Sequence, residues 1–193
     1  MKPIISKLKQ KPSFTTQEAK SLGISSRMLS YYIEKGEIER ISHGVYCSTQ
    51  YTPKSEQIQW HGLALAANNI KNSTICLLSA LSYYELTDEF VSEYWIAVPN
   101  SHTRVHFPMT RIVRMRNMTL GATSIEIAGM NVNIFDVERT IIDSFKLLDI
   151  ETALIALKNY MNGQHGKPNI KKLLSYSKAL RVNISNYIMP FTI

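Results

Sequence analysis

Ser25, Ser26, Arg27, Ser30 and Tyr31 crowd into one short stretch of the sequence. On a helix opened by Ser25 they occupy its N-terminal half, the part of a recognition helix that meets base edges and phosphates. Small hydroxyls allow close approach to a duplex. An arginine can make a bidentate contact to guanine, worth about 1–3 kcal/mol of discrimination. Tyr31 or Tyr32 can donate a phosphate hydrogen bond while the other packs inward. The plainer reading is that the serines cap, Arg27 is solvated and both tyrosines belong to a core.

A second set lies a few residues on. In Arg40-Ile41-Ser42-His43-Gly44-Val45-Tyr46, Arg40 and His43 flank a turn that glycine makes possible. Such a hairpin can lie along a phosphate backbone or reach a minor groove. Arg111, Arg114 and Arg116 form the third set: on a strand, Arg114 and Arg116 share one face and Arg111 takes the other. Two arginines on a sheet face suit phosphate, or are a solvated surface. Arg139 and Asp143, four apart, read as an ion pair along a helix.

No catalytic constellation assembles from the sequence. It has no Gly-rich phosphate loop, HExxH or GxSxG. Gly121-Ala122-Thr123-Ser124 lacks the following aspartate pair with which a nucleotidyltransferase holds Mg²⁺. A nuclease needs carboxylates with a lysine beside them; Asp88, Glu89 and Glu93 cluster without one, and Glu126 is alone. Cys47 and Cys76 are isolated, with no metal-ligand spacing. No cofactor and no metal are therefore expected, and the chain reads as a non-enzyme.

The elements needed to position these residues follow from caps and periodicity. Apolar residues at helical spacing predict a helix over residues 1–11 that stops before Pro12. Thr15 and Glu18 form a capping box opening a second helix that Gly23 ends. Ser25 caps a third, with Met28, Leu29, Tyr32 and Ile33 on its apolar face, ended by Gly36. Ile38–Ile41 and Val45–Cys47 then predict a hairpin. Helix, helix, turn, helix, hairpin is the order of a winged helix-turn-helix, although a small helical bundle shares it.

A polar stretch, residues 48–55, reads as a linker between a domain of residues 1–50 and one of residues 55–193. The second is expected to be α+β, with helices over 55–70 and 76–86 and about four strands: Tyr94–Val98, Arg111–Met115, Ser124–Ile127 and Val132–Phe135. Asp136 caps a helix carrying Val137, Ile141, Phe145 and Leu148 on one face. A further helix runs from Glu151 to Met161 with Leu154, Ile155 and Leu157, and a basic one from Asn169 to Leu180.

Composition agrees with a folded nucleic-acid binder: 193 residues, 45% hydrophobic, with a net charge of +7. The charge is uneven, with eight Lys/Arg against four Glu in residues 1–50 and two against five acids in 51–100. Lysines where a secretory signal would be apolar, two lone cysteines and no long apolar run point to the cytoplasm, with no membrane partner.

Phe14–Ala19, Leu22-Gly23-Ile24, Arg27, Leu29, Tyr32, Gly36–Ile41 and Gly44-Val45-Tyr46 resemble the N-terminal domain of AbiEi-type antitoxins from type IV toxin-antitoxin (abortive infection) systems. Leu77–Leu81, Ala97-Val98-Pro99 and Val137–Asp143 look like landmarks of that family's second domain, so the likeness spans roughly residues 13–160. The resemblance implies a transcriptional repressor whose winged domain binds double-stranded DNA at inverted repeats in its own promoter. It further implies an antitoxin domain that counteracts a nucleotidyltransferase-like toxin without a stable complex. Monomers in solution that pair on DNA would suit such an operator. A protein-interaction module on the same winged fold, or a nuclease with a DNA-binding N-terminus, are the alternatives.

Overall fold

A computed structural model describes residues 2–52, 55–102 and 106–189. Pro53 and Lys54 of the expected linker lie outside the described residues, as does the end of the tail. The chain divides into two compact units, Met1–Lys71 with Arg104–Pro108 and Glu126–Val132, and Asn72–Thr103 with Met109–Ile125 and Asn133–Ile193.

In the first unit, helix α1 (Lys2–Lys9) turns Ile5 and Leu8 inward. Strand β1 (Phe14–Thr15) leads directly into α2 (Thr16–Ser21). The capping box forms as the sequence specifies: Glu18 N–H donates to Thr15 Oγ1 at 3.2 Å and Thr15 N–H to Glu18 Oε2 at 2.8 Å. Gly23, at φ +80°, makes the turn, where Ile24 N–H reaches back to the Ala19 carbonyl at 2.9 Å. Helix α3 (Ser26–Glu34) follows, with Ser25 Oγ accepting from Met28 N–H.

Strands β2 (Ile38–Ser42) and β3 (Val45–Ser48) pair antiparallel with a bulge between Arg40 and Ser42, and β1 adds to β3 through Phe14 opposite Tyr46. The wing sheet is thus three-stranded, in the order β1-β3-β2. Ile5, Leu8, Phe14, Ala19, Ile24, Leu29 and Ile38 make one core, each large side chain worth about 1.5–3 kcal/mol of burial. Ile33, expected on that core, stands outward at 38% exposure. Met28, Leu29 and Tyr32 already fill the face of α3 that the core can cover.

The predicted helix over 55–70 is two elements, a 3₁₀ turn Ser55–Trp60 and helix α4 (His61–Asn69), whose run Leu63–Ala67 is buried on every side. Tyr51 hydroxyl donates to the Ala128 carbonyl at 3.2 Å and Asn69 Nδ2 to Ser13 Oγ at 3.1 Å.

The second sheet has five strands: β4 (Thr74–Ile75), β5 (Tyr94–Pro99), β6 (Thr110–Met115), β7 (Ala122–Ile127) and β8 (Met130–Phe135), in the order β6-β5-β4-β8-β7. Four match the expected strands. The fifth, β4, is central, with Ile75 between Ile96 on antiparallel β5 and Ile134 on parallel β8. Strands β5 and β6 run parallel. The fold class is α+β.

Helix α5 (Leu77–Tyr83) packs against α6 (Val137–Leu147), which Asp136 caps by accepting from Arg139 N–H at 2.9 Å. Helix α7 (Ile150–Met161) buries Ala153, Ala156, Leu157 and Tyr160. Leu154 and Ile155 are exposed, because the buried stripe of α7 runs at i, i+3, i+4, i+7 through its two alanines, Leu157 and Tyr160. Helix α8 (Ile170–Leu180) and a short α9 (Ser185–Ile188) complete the described chain.

Candidate nucleic-acid interface

All seven candidate residues of the first unit, Ser25, Ser26, Arg27, Ser30, Tyr31, Arg40 and His43, are exposed. Five ride on α3 or its cap because the opposite side of the helix carries Met28, Leu29 and Tyr32 into the core. The open choice between the tyrosines is decided by the fold. Tyr32 packs inward beside Lys9, whereas Tyr31 is 53% exposed with Lys35 Nζ 5.7 Å from its ring centroid.

Local bonding sorts the polar groups further. Ser25 Oγ already accepts a cap bond, and Ser30 Oγ donates to the Ser26 carbonyl at 3.3 Å. Ser26 and Arg27 make no side-chain hydrogen bond among the described residues, so their donors are free for an outside partner. Arg40 is held within the wing: Nε donates to the Ser42 carbonyl at 3.2 Å, and a terminal nitrogen lies 3.0 Å from His43 Nδ1. The bulge turns these two side chains toward each other at the hairpin tip.

Gly44 positions the wing on α2. Its φ is +73°, its carbonyl accepts from Thr16 N–H at 2.8 Å, and a Cβ there would stand 3.3 Å from Thr16 Oγ1. The hairpin tip is therefore bonded directly to the start of α2. Chemically, this surface offers a free guanidinium, hydroxyls and a tied Arg–His pair, a set of donors for phosphate and base acceptors.

In the second unit the three arginines separate. Arg111 lies over the Trp95 ring, 4.2 Å from its centroid, while Arg114 and Arg116 line a cavity of about 520 Å³ with Lys146 and Arg181. Arg139 carries more than an ion pair: it is buried, donates to Asp143 Oδ2 at 2.8 Å, to the Leu120 carbonyl at 2.8 Å and to the Asn117 carbonyl at 3.0 Å, and covers the Phe135 ring. Burial pushes the Asp143 carboxyl above the usual range, with Arg139 pulling the other way. Sequence spacing identified the pair but carried no sign of its burial.

Among the described residues both thiols are held protonated by their surroundings. Burial and then the Glu39 carboxylate push the Cys47 thiol up to about 12, and burial raises Cys76 well above the ordinary thiol value. Glu89 accepts from Thr152 at the start of α7, and Asp88 and Glu93 are exposed. Among the described residues no three His, Cys, Asp or Glu side chains group as a metal site. Among the described residues no helix is long and apolar enough to cross a membrane.

A helix-turn-helix with its outer helix face polar, followed by a tied hairpin, is the arrangement of a winged helix. Residues 4–49 match the family described as transcriptional regulator, AbiEi antitoxin, the family that the sequence resembles. The match ends before Leu77–Leu81, Ala97–Pro99 and Val137–Asp143. No curated protein is similar enough to the chain to count as a match.

Proposed function

We propose that the protein is a DNA-binding autorepressor and the antitoxin of a type IV system, acting against a nucleotidyltransferase-like toxin without a stable complex. The observation that carries the DNA reading is the outward face of α3, where Ser26 and the guanidinium of Arg27 stand unengaged beside the wing in the segment matched by the AbiEi regulator family. Residues 1–50 are the DNA-binding module, reading double-stranded inverted repeats as monomers that pair on the operator. Residues 55–193 are the antitoxin part, with Arg114 and Arg116 as its basic surface. The protein acts as a cytoplasmic regulator rather than a catalyst.

The test compares promoter and random duplex by fluorescence anisotropy at one salt concentration. Arg27→Ala should lose about 1–3 kcal/mol on the promoter and less on random DNA. Equal losses would reduce Arg27 to a phosphate contact, and no loss would remove α3 from the interface. Absence of salt-dependent binding by wild type would favour a protein-binding winged module instead.

A further inference from the structure

The cavity in the second unit gathers cations from three separate elements: Arg114 and Arg116 at the end of β6, Arg139 and Lys146 on α6, and Arg181 just past α8. Among the described residues Asp143 is the one acid on its wall, and it is already bonded to Arg139. The C-terminal ends of α6 and α8 also reach it through Leu147 and Leu180, and each adds about half a negative charge. Five cations against one carboxylate and two helix ends leave an excess of about three positive charges.

Those charges are available. Arg139 uses its donors on Asp143, Leu120 and Asn117, and so shapes the wall. Among the described residues Arg114 makes one bond, to the His102 carbonyl at 3.3 Å. The side chains of Arg116, Lys146 and Arg181 form no ion pair or hydrogen bond among the described residues. Arg181 moreover occupies a left-handed position, φ +57°, at which helices ordinarily end in Gly or Asn.

We propose that this cavity binds a small ligand carrying a phosphate chain, of about nucleotide size. The volume, about 520 Å³, lies in the ordinary range for small-molecule sites. Guanidinium groups match phosphate oxygens in pairs. Met115, Leu147 and Leu180 supply an apolar wall suited to a base or sugar face. A duplex favours cations spread along a surface, whereas these converge on a concavity. The site stands on the second unit alone, so its failure would leave the reading of α3 untouched.

The experiment titrates tripolyphosphate into the full chain by calorimetry at low salt, beside Arg116→Ala/Arg181→Ala, with thermal melting to verify that the variant folds. Wild type should bind, ATP should displace the tripolyphosphate, and the variant should bind at least about tenfold more weakly. Lys146→Ala, one cation removed, should give a smaller loss and serves if the double variant is unstable. No binding of either probe by wild type, or equal binding by folded variants, would overturn the proposal. Displacement of tripolyphosphate by a short random duplex in an Arg27→Ala background would also overturn it, in favour of a second duplex contact.

Discussion

Arg139 Nε stands 2.8 Å from Asp143 Oδ2, one helical turn apart on α6, with side-chain exposures of 2% and 5%. The same guanidinium ties down the carbonyls of Asn117 and Leu120, so the loop before β7 is fastened to the start of α6 by one residue. Removing either partner leaves an uncompensated buried charge. Arg139→Met should therefore cost about 3–5 kcal/mol in urea unfolding, and Arg139→Met/Asp143→Leu markedly less than the sum of the single changes. Additive losses would mean that the pair is not coupled.

Gly121 lies under that clamp. At φ +71°, a Cβ would fall 2.6 Å from Arg139 Cβ and 3.0 Å from Asp136 Oδ1. A helix Cβ cannot swing aside, so Gly121→Ala combines a left-handed backbone with overpacking. We expect a loss of about 2–4 kcal/mol, seen as a lower midpoint with unchanged m-value.

The start of α6 also sets a pH dependence. Burial alone would raise the Glu138 carboxyl, but hydrogen bonds from Lys172, at 2.9 Å, and from the Tyr160 hydroxyl, at 2.7 Å, outweigh it and hold the group below its usual value. Burial disfavours the Lys172 charge, yet Glu138 and Asp136 raise its pKa overall. The depressed carboxyl contributes stability above its unfolded pKa, about 4.3, that is lost as pH falls through the folded value. The raised ammonium contributes stability that is full below about 10.4 and disappears only as pH rises through its folded value. Lys172 is 37% exposed, so solvent screening limits the effect of Lys172→Met to about 1 kcal/mol at neutral pH. The gap from wild type should close below about pH 4, as measured by thermal melts across pH. A gap that persists at low pH would assign the effect to packing of the lysine stem.

Separability of the two regions can be read from the fragment of residues 1–50, whose core residues run from Ile5 to Ile38. The fragment should fold and contact DNA. Its affinity should fall below that of the full chain on an inverted repeat, because one small module buries only about 600–1,000 Å². Equal affinity would show that residues 55–193 add nothing on the operator.

Repression and toxin neutralisation should come apart at the second basic surface. Arg114→Ala with Arg116→Ala is expected to spare promoter occupancy and to abolish rescue of cells expressing the partner toxin, both scored in one strain at matched protein levels. Full rescue by an equally abundant variant would place the antitoxin surface elsewhere in residues 55–193.

The winged segment was legible in the sequence because its signals are local. Thr15 and Glu18 cap within one turn, Gly23, Gly36 and Gly44 sit at positive φ, and Met28, Leu29 and Tyr32 recur at helical spacing behind the Ser25 cap. Longer strands and helices of the second unit declared themselves through periodicity. Tertiary packing decided the rest. A two-residue strand such as β4 has no periodicity to read and exists only because β5 and β8 hydrogen-bond to it from both sides. Which of Tyr31 and Tyr32 faces out, and which side of α7 is buried, depended on how much core surface was available to cover them. Arg181 meets Arg116 and Lys146 around one cavity although they are far apart in the chain, a convergence that no local signal encodes because it arises from the packing of α8 against α6.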